Sequence, residues 1–555
     1  MTFKISPDSK SENKYILQAS KQNQPRISFK GLESVASYVC SQVQTGEIVG
    51  PTAVDIVAMV APRTIIDSTR SKDAGRETFI RETSGNIINC IAPGFVAAGA
   101  GWLLGKFIKP ELKINTALPV DSDTLEMLHH SWKNAKGHEF WKEGVDKKQV
   151  IERYINQVLD KSKGLVGQEW IALKDKPEAK SLAGEIADLI LRDKKASGKE
   201  LKTIKEKLVQ ILGASESVNV INNNKKTLNT TVDRLINGIH DLGRQVLTKV
   251  EPNKVDVAID KMTKTSKNKS VIAVGIITSL ALAQQAVNRY MTKKRTGSDA
   301  FVGLSEESRK DSNVENTGKT SKTKFYLAKA LSVVAITGIA AATISDAISP
   351  KKIWQTLGNG KNLVKKLEFN SLWPHLNQLR AVYAAMIVGR MIASTDKHEL
   401  RETDTRDIPG FLNWLVLGGF ISKLTGKKIS GGKLINSLNP LEKGASAWEK
   451  VKHFLKNEKL MSHAEIDARK GLDIAEKKLL KTKLNIAIFA GLAYSTLALG
   501  LFMPILNKHI TNKLTAKKKP QDKPNPEKTA TVSFNSINND VFADFIKTQQ
   551  RFKKA

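Results

Sequence analysis

The chain has 555 residues, 41% of them hydrophobic, 26% charged and only 6% aromatic, with a formal net charge of +33. This is too apolar for a disordered chain, and its two cysteines, Cys40 and Cys90, stand in dissimilar contexts that give neither a disulfide framework nor a zinc set. HExxH, GxSxG, a complete phosphate loop and paired CxxC are all absent, so no catalytic residue, metal or cofactor is called for and an enzyme is not expected.

Residues 1–45 are polar and lack the basic-then-apolar design of a cleaved signal peptide. Residues 46–108 read as an apolar helix, a charged turn and a short helix opening at Pro93-Gly94-Phe95. The charged part, AMVAPRTIIDSTRSKDAGRETFIRETS at 58–84, holds an RETxxR motif. Pro93 and Gly94 interrupt the uncharged run behind it and leave about 24 Å of helix, short for a crossing. Residues 109–269 show 3.6-residue apolar spacing in VIERYINQVLDK, GEIADLILR, IKEKLVQIL and VDRLINGIHDLGRQVL, which predicts a soluble helical insertion. SVIAVGIITSLALAQQAVN at 270–288 predicts a membrane span over 270–295. A Lys- and Ser-rich linker at 296–324 leads to a second span over 325–349.

Residues 376–424 then resemble 46–108, residues 425–483 form a second helical insertion, and 484–513 is a span. Its LNIAIFAGLAYSTLALGLFMPILN makes a helix of about 36 Å against a hydrocarbon core of roughly 30 Å. The basic tail, 514–555, ends in an amphipathic face of Val541, Phe542, Phe545, Ile546, Gln549 and Phe552, suited to a protein partner or a membrane surface.

The charged stretch recurs as AMIVGRMIASTDKHELRETDTRD at 385–407, and the Pro-Gly-Phe at 93–95 recurs at 409–411. Ile272-Ala273 and Gly275, followed by VNRYMTKK, match Ile486-Ala487 and Gly491, followed by LNKHITNK. Matches in one order predict two copies of a unit, each with an insertion. Small residues spaced by four (Ala97, Gly101, Gly105; Gly275, Ser279, Ala283; Gly338, Ala342; Ala487, Gly491, Ser495) predict close helix packing in lipid. Both span exits are basic, which puts them on the cytosolic side and makes the copies parallel. The Lys-rich second insertion then faces outward, against the charge rule, unless Arg390 and the Pro-Gly-Phe helix mark a re-entrant pair.

Glu77 and Arg81 are four apart, as are Glu402 and Arg406, so each motif is expected to close one pair. Three roles follow for the motif residues. The pairs stiffen a loop; or Arg63, Arg76, Arg390 and Arg401 are left over to bind an anion; or the motifs, with Glu82 and Asp407, grip each other across the copies. The spread of lysines with little aromatic interleaving fits a lipid bilayer with anionic headgroups better than nucleic acid.

The sequence therefore predicts an all-α, multi-pass helical membrane protein, integral to a cytoplasmic membrane, with two internal repeats and soluble helical insertions. A membrane-embedded scaffold or assembly factor is favoured because the spans hold few ionisable residues. The alternative is a transporter or lipid-handling protein with an anionic ligand between the repeats, and a soluble or peripheral all-helical basic protein is the outside reading.

Overall fold

A computed structural model describes residues 56–516 apart from short stretches, of which 136–145 and 298–318 are the longest. The polar N-terminal segment, most of the linker and the amphipathic face at 541–552 lie outside the described residues. The described residues are mostly helical, at 81%, and among them four helical runs are long and apolar enough to cross a membrane: Lys72–Phe107, Val255–Thr296, Lys322–Ser345 and Ile474–Lys513.

The first of these corrects the sequence reading. The RETxxR stretch is no turn: it forms helix α2 (Lys72–Asn86), opened by the Ser71 side chain accepting from the Ala74 N–H. A wide turn at Ile87–Ile91, closed from the Ala92 N–H to the Ile87 carbonyl, joins it to α3 (Ala92–Phe107). Proline breaks a regular helix because its ring meets the carbonyl four residues back, and a wider turn at that place moves the carbonyl aside. The run therefore continues through Pro93 for 36 residues.

Before it comes α1 (Ala61–Ser68). The second half of the chain holds elements of the same kinds in the same order: α13 (Leu376–Ala393), α14 (Lys397–Leu412), a wide turn at Asn413–Leu417 and α15 (Gly418–Ser430). Lys397, Arg406 and Gly426 lie 325 residues after Lys72, Arg81 and Gly101. The Pro-Gly-Phe match is out of this register, since Pro93 follows Arg81 by twelve residues and Pro409 follows Arg406 by three.

Each run pairs antiparallel with a long partner. Helix α9 (Val255–Thr296) lies along α2–α3: Asp73 meets Arg295, Ser84 meets Gln284, and Lys109 meets Asp260. Helix α18 (Ile474–Ser495), continued by a wide turn at Thr496–Phe502 into α19 (Met503–Ala516), lies along α14–α15 in the same way. There Asn507 donates to the Glu402 carbonyl, Tyr494 bonds Asn413, and Gly491 packs on Gly418. Residues from His509 onward belong to a second unit, described only to Ala516.

Helix α13 runs parallel to α9, with Gly389 at Leu282 and the Ala393 carbonyl at Arg289, and antiparallel to α14. The two hairpins thus stand side by side and point the same way. The first helix of each half packs on the long helix of the other, α13 against α9 and the turn before α1 against the wide turn at Thr496–Phe502. Helix α10 (Lys319–Ser345) lies against α13, with Lys329 on the Ile392 carbonyl and Arg380 on the Thr343 carbonyl.

Small residues work unevenly in this packing. A Cβ on Gly389 would lie 2.3 Å from the Leu282 carbonyl oxygen, and one on Gly491 would lie 2.6 Å from that of Gly418. Gly275 and Gly338 meet nothing within 4 Å, so the stripes at Gly275, Ser279, Ala283 and at Gly338 do not pack as expected.

The first insertion also differs from its all-helical reading. It packs α4 (Ser122–Ala135), α5 (Lys147–Asp160), α6 (Pro177–Leu191), α7 (Gly198–Ile211) and α8 (Val232–Leu242) around a four-stranded antiparallel sheet. The strands are β1 (Ser162–Val166), β2 (Glu169–Ala172), β3 (Ser217–Ile221) and β4 (Thr227–Thr231), ordered β2-β1-β3-β4. Its core of Trp132, Tyr154, Ile155, Leu208 and Ile236 takes in Val255, Ala258 and Ile259 of α9, so the insertion is rooted on the first turns of that helix. The second insertion holds β5 (Ile435–Ser437), α16 (Ala447–Lys456), β6 (Glu458–Leu460) and α17 (His463–Ala468).

Both insertions emerge at the end of the hairpins remote from Lys72 and Lys397, and they touch. The Glu216 N–H donates to Glu465 (3.0 Å) and Ser462 Oγ to Glu216 (2.7 Å). Burial, with the Glu216 carboxylate adding to it, pushes the Glu465 carboxyl up from 4.5 to about 7. A raised carboxyl pKa makes this contact strongest below pH 4.5 and weakens it as pH rises through 7, by about 3 kcal/mol at full ionisation. Burial pushes the Glu216 carboxyl up as well, so Glu465→Gln is expected to reduce this pH dependence without abolishing it, read as amide-exchange protection of β3 and α17 corrected for intrinsic rates.

Candidate functional site: a buried ion network between the hairpins

Both RETxxR motifs lie in the seam between the hairpins, and they meet. In the first half the Glu82 carboxylate sits between two guanidiniums, Arg63 Nη1 at 3.1 Å from Oε2 and Arg81 Nε at 3.1 Å from Oε1. In the second half the Asp407 carboxylate is held alike, by Arg390 Nη1 at 3.0 Å from Oδ2 and Arg406 Nε at 2.8 Å from Oδ1. Each unit has an arginine from its first helix and an Arg-acid neighbour pair from its second. All six residues are buried, Asp407 at 0% exposure.

Cross-links join the two. Arg390 Nη2 stands 3.9 Å from Glu82, and Arg70, at the end of α1, binds Glu402 at 2.7 Å. Arg63 Nε donates to the Leu499 carbonyl (3.2 Å), and Arg289 of α9 forks onto Glu399 of α14 (2.8 and 2.9 Å). The backbone turns that place these groups are tied locally: Asp67 accepts from Thr78, and Glu399 from the Thr395 N–H. Gly75 matters here, because a Cβ would fall 2.0 Å from Ser68 Oγ and force α1 off α2.

The expected pairing within each motif gives way to this network. Arg81 turns to Glu82 and Thr78, Arg406 turns to Asp407, and Glu402 reaches Arg70. Glu77 is buried beside them. Of the arginines expected to be spare, Arg63 and Arg390 are committed to carboxylates, Arg76 is exposed on the far face of α2, and Arg401 is half-buried on α14. Gln284 adds to the seam by donating to the Arg81 carbonyl and to Ser84.

Six buried or nearly buried arginines (63, 70, 81, 289, 390, 406) thus face six acids (67, 77, 82, 399, 402, 407). One cavity in the seam, lined by Glu77, Arg81, Gln285, Arg390, Glu399, Glu402, Thr403 and Arg406, leaves about 10 Å³ open to the centre of a water molecule. That is room for about one water, not for a phosphate or larger solute. Among the described residues no group of His, Cys, Asp and Glu is placed to hold a metal ion. His129 is bonded to Asp256 (2.8 Å).

Sequence reasoning missed Arg70, Arg289, Glu399, Gln284 and Asn507. A signal was present: Gln284, Gln285 and Asn288 interrupt an otherwise apolar run at one-turn spacing, and polar groups inside a span have a partner to meet. No protein-family model, curated protein or solved structure matches the chain.

Proposed function

We propose that the protein is a multi-pass integral membrane protein that acts as a membrane-embedded scaffold or assembly factor, built from two copies of one unit in parallel. The constant 325-residue register of α2–α3 and α14–α15, the twin wide turns and the twin Arg-acid-Arg units support the duplication.

An apolar belt of the right height supports the membrane. Val271, Ile272, Ile276, Leu280 and Val287 are exposed along α9, and Phe95 and Leu103 along α3. On α9 the belt runs from Lys269, opposite Gly101, to Tyr290, which is 67% exposed. These 22 residues rise about 32 Å from first to last, close to a hydrocarbon core. Aromatic residues mark both rims, Trp102 with Lys106 over its ring at one and Tyr290 and Tyr326 at the other. Alkaline carbonate is expected to leave the protein in the membrane pellet, and its release would remove this reading.

The observation that favours a scaffold over a transporter is the seam itself. Its charges neutralise one another in direct pairs and leave space for about one water, so it serves as a lock between halves rather than a path. Vesicles carrying the protein are expected to pass phosphate and organic anions no faster than protein-free vesicles. Protein-dependent flux that falls in an Arg63→Gln, Arg390→Gln variant would replace the scaffold with the transporter reading.

A further inference from the structure

After α10 the chain turns at Asp346, which takes a left-handed conformation (φ 54°), into two short helices, α11 (Pro350–Leu357) and α12 (Gly360–Lys366). We propose that α11–α12 is the site at which the protein selects anionic phospholipid headgroups in the leaflet on the insertion side. The proposal rests on the membrane reading above and adds to it where, and by which residues, the headgroups are bound.

Residues 350–366 contain five lysines and no acid. Two of the lysines fasten the element to the protein: Lys365 to Asp123 of α4 at 2.8 Å and Lys366 to Asp346 at 3.4 Å. Lys351, Lys352 and Lys361 are exposed, and among the described residues no acid lies in ion-pair range of them. On the first insertion, Lys205 and Lys207 are instead paired, with Asp233 and Glu185.

The apolar side chains of the element divide in two. Ile353, Leu357, Leu363 and Val364 are half-buried, while Trp354, three residues after Lys351 on the same face, is 76% exposed. An indole left in the open beside unpaired ammonium groups suits the headgroup level, where its ring meets acyl chains and the lysines meet phosphate. The depth agrees. Just past α12, the Phe369 N–H bonds Ser270 Oγ, at the insertion-side rim of the apolar belt.

The test uses the full chain reconstituted in phosphatidylcholine vesicles with and without phosphatidylglycerol, with spin-labelled lipids reporting the first shell. Preference for the labelled phosphatidylglycerol over phosphatidylcholine is expected to fall about fivefold for each lysine lost in Lys351→Gln, Lys352→Gln, Lys361→Gln. It should persist in the corresponding triple Arg variant, and in a control that changes Lys205 and Lys207 to Gln. An unchanged preference in the Gln variant, with unchanged circular dichroism, overturns the proposal. Equal loss in the Arg variant overturns it too, since charge would not be what is read. Failure of every variant and the native chain to enter vesicles would instead fall on the membrane reading.

Discussion

Asp407→Asn is expected to destabilise the protein by about 3–5 kcal/mol. The substitution keeps the shape of the side chain but leaves the Arg390 and Arg406 guanidiniums buried without the carboxylate that both share. The cost comes from stranded charge, not from the worth of the pair, since burying an ion pair roughly breaks even against apolar packing. Replacing Asp407, Arg390 and Arg406 together by apolar residues of similar volume should therefore return most of the loss. Glu82→Gln should behave like Asp407→Asn, because Glu82 serves Arg63 and Arg81 in the same way. Denaturant unfolding in detergent micelles measures all of these. An Asp407→Asn protein as stable as the native one would show that the network is not the lock between halves.

The second large effect is steric. Gly389→Ala puts a methyl group 2.3 Å from the Leu282 carbonyl oxygen and 2.9 Å from its Cα, and both are backbone atoms of α9 that no rotamer change can move. Helices α13 and α9 must separate, at a cost of about 1–3 kcal/mol. Gly275→Ala, on the same helix pair but with nothing within 4 Å, is the control. It should be neutral or gain up to about 1 kcal/mol from helix propensity. Equal effects at the two positions would mean that the close approach is not made.

How much of this was legible in the sequence differs by element. The apolar helices at 270–288, 330–345 and 484–507 stood out because their uncharged runs are long enough to cross a membrane. The run through Pro93 was misread because a wide turn is a property of the backbone path, with no residue type that announces it. The strands SKGLV, EWIA, SVNVI and TLNTT are short and lie among strong helical periodicities, so pattern alone did not single them out. For the site, the motif residues were visible as a repeated string, but their partners were not. The Arg-Glu spacing suggested pairing along one helix, whereas burial between two helices let neighbouring and cross-seam acids win.

The exchange of first helices between the halves sets the order in which the protein can be made. Arg63 emerges from the ribosome early, yet the carbonyl that accepts from its Nε belongs to Leu499, 436 residues later. At about 5–20 residues per second, synthesis of that interval takes roughly 20–90 s. Through this time α1 has no second-half surface to pack on, and Arg63 can meet Glu82, 19 residues on, but not the carbonyl that accepts from its Nε. The seam therefore stays incomplete until the residues around Leu499 have been made.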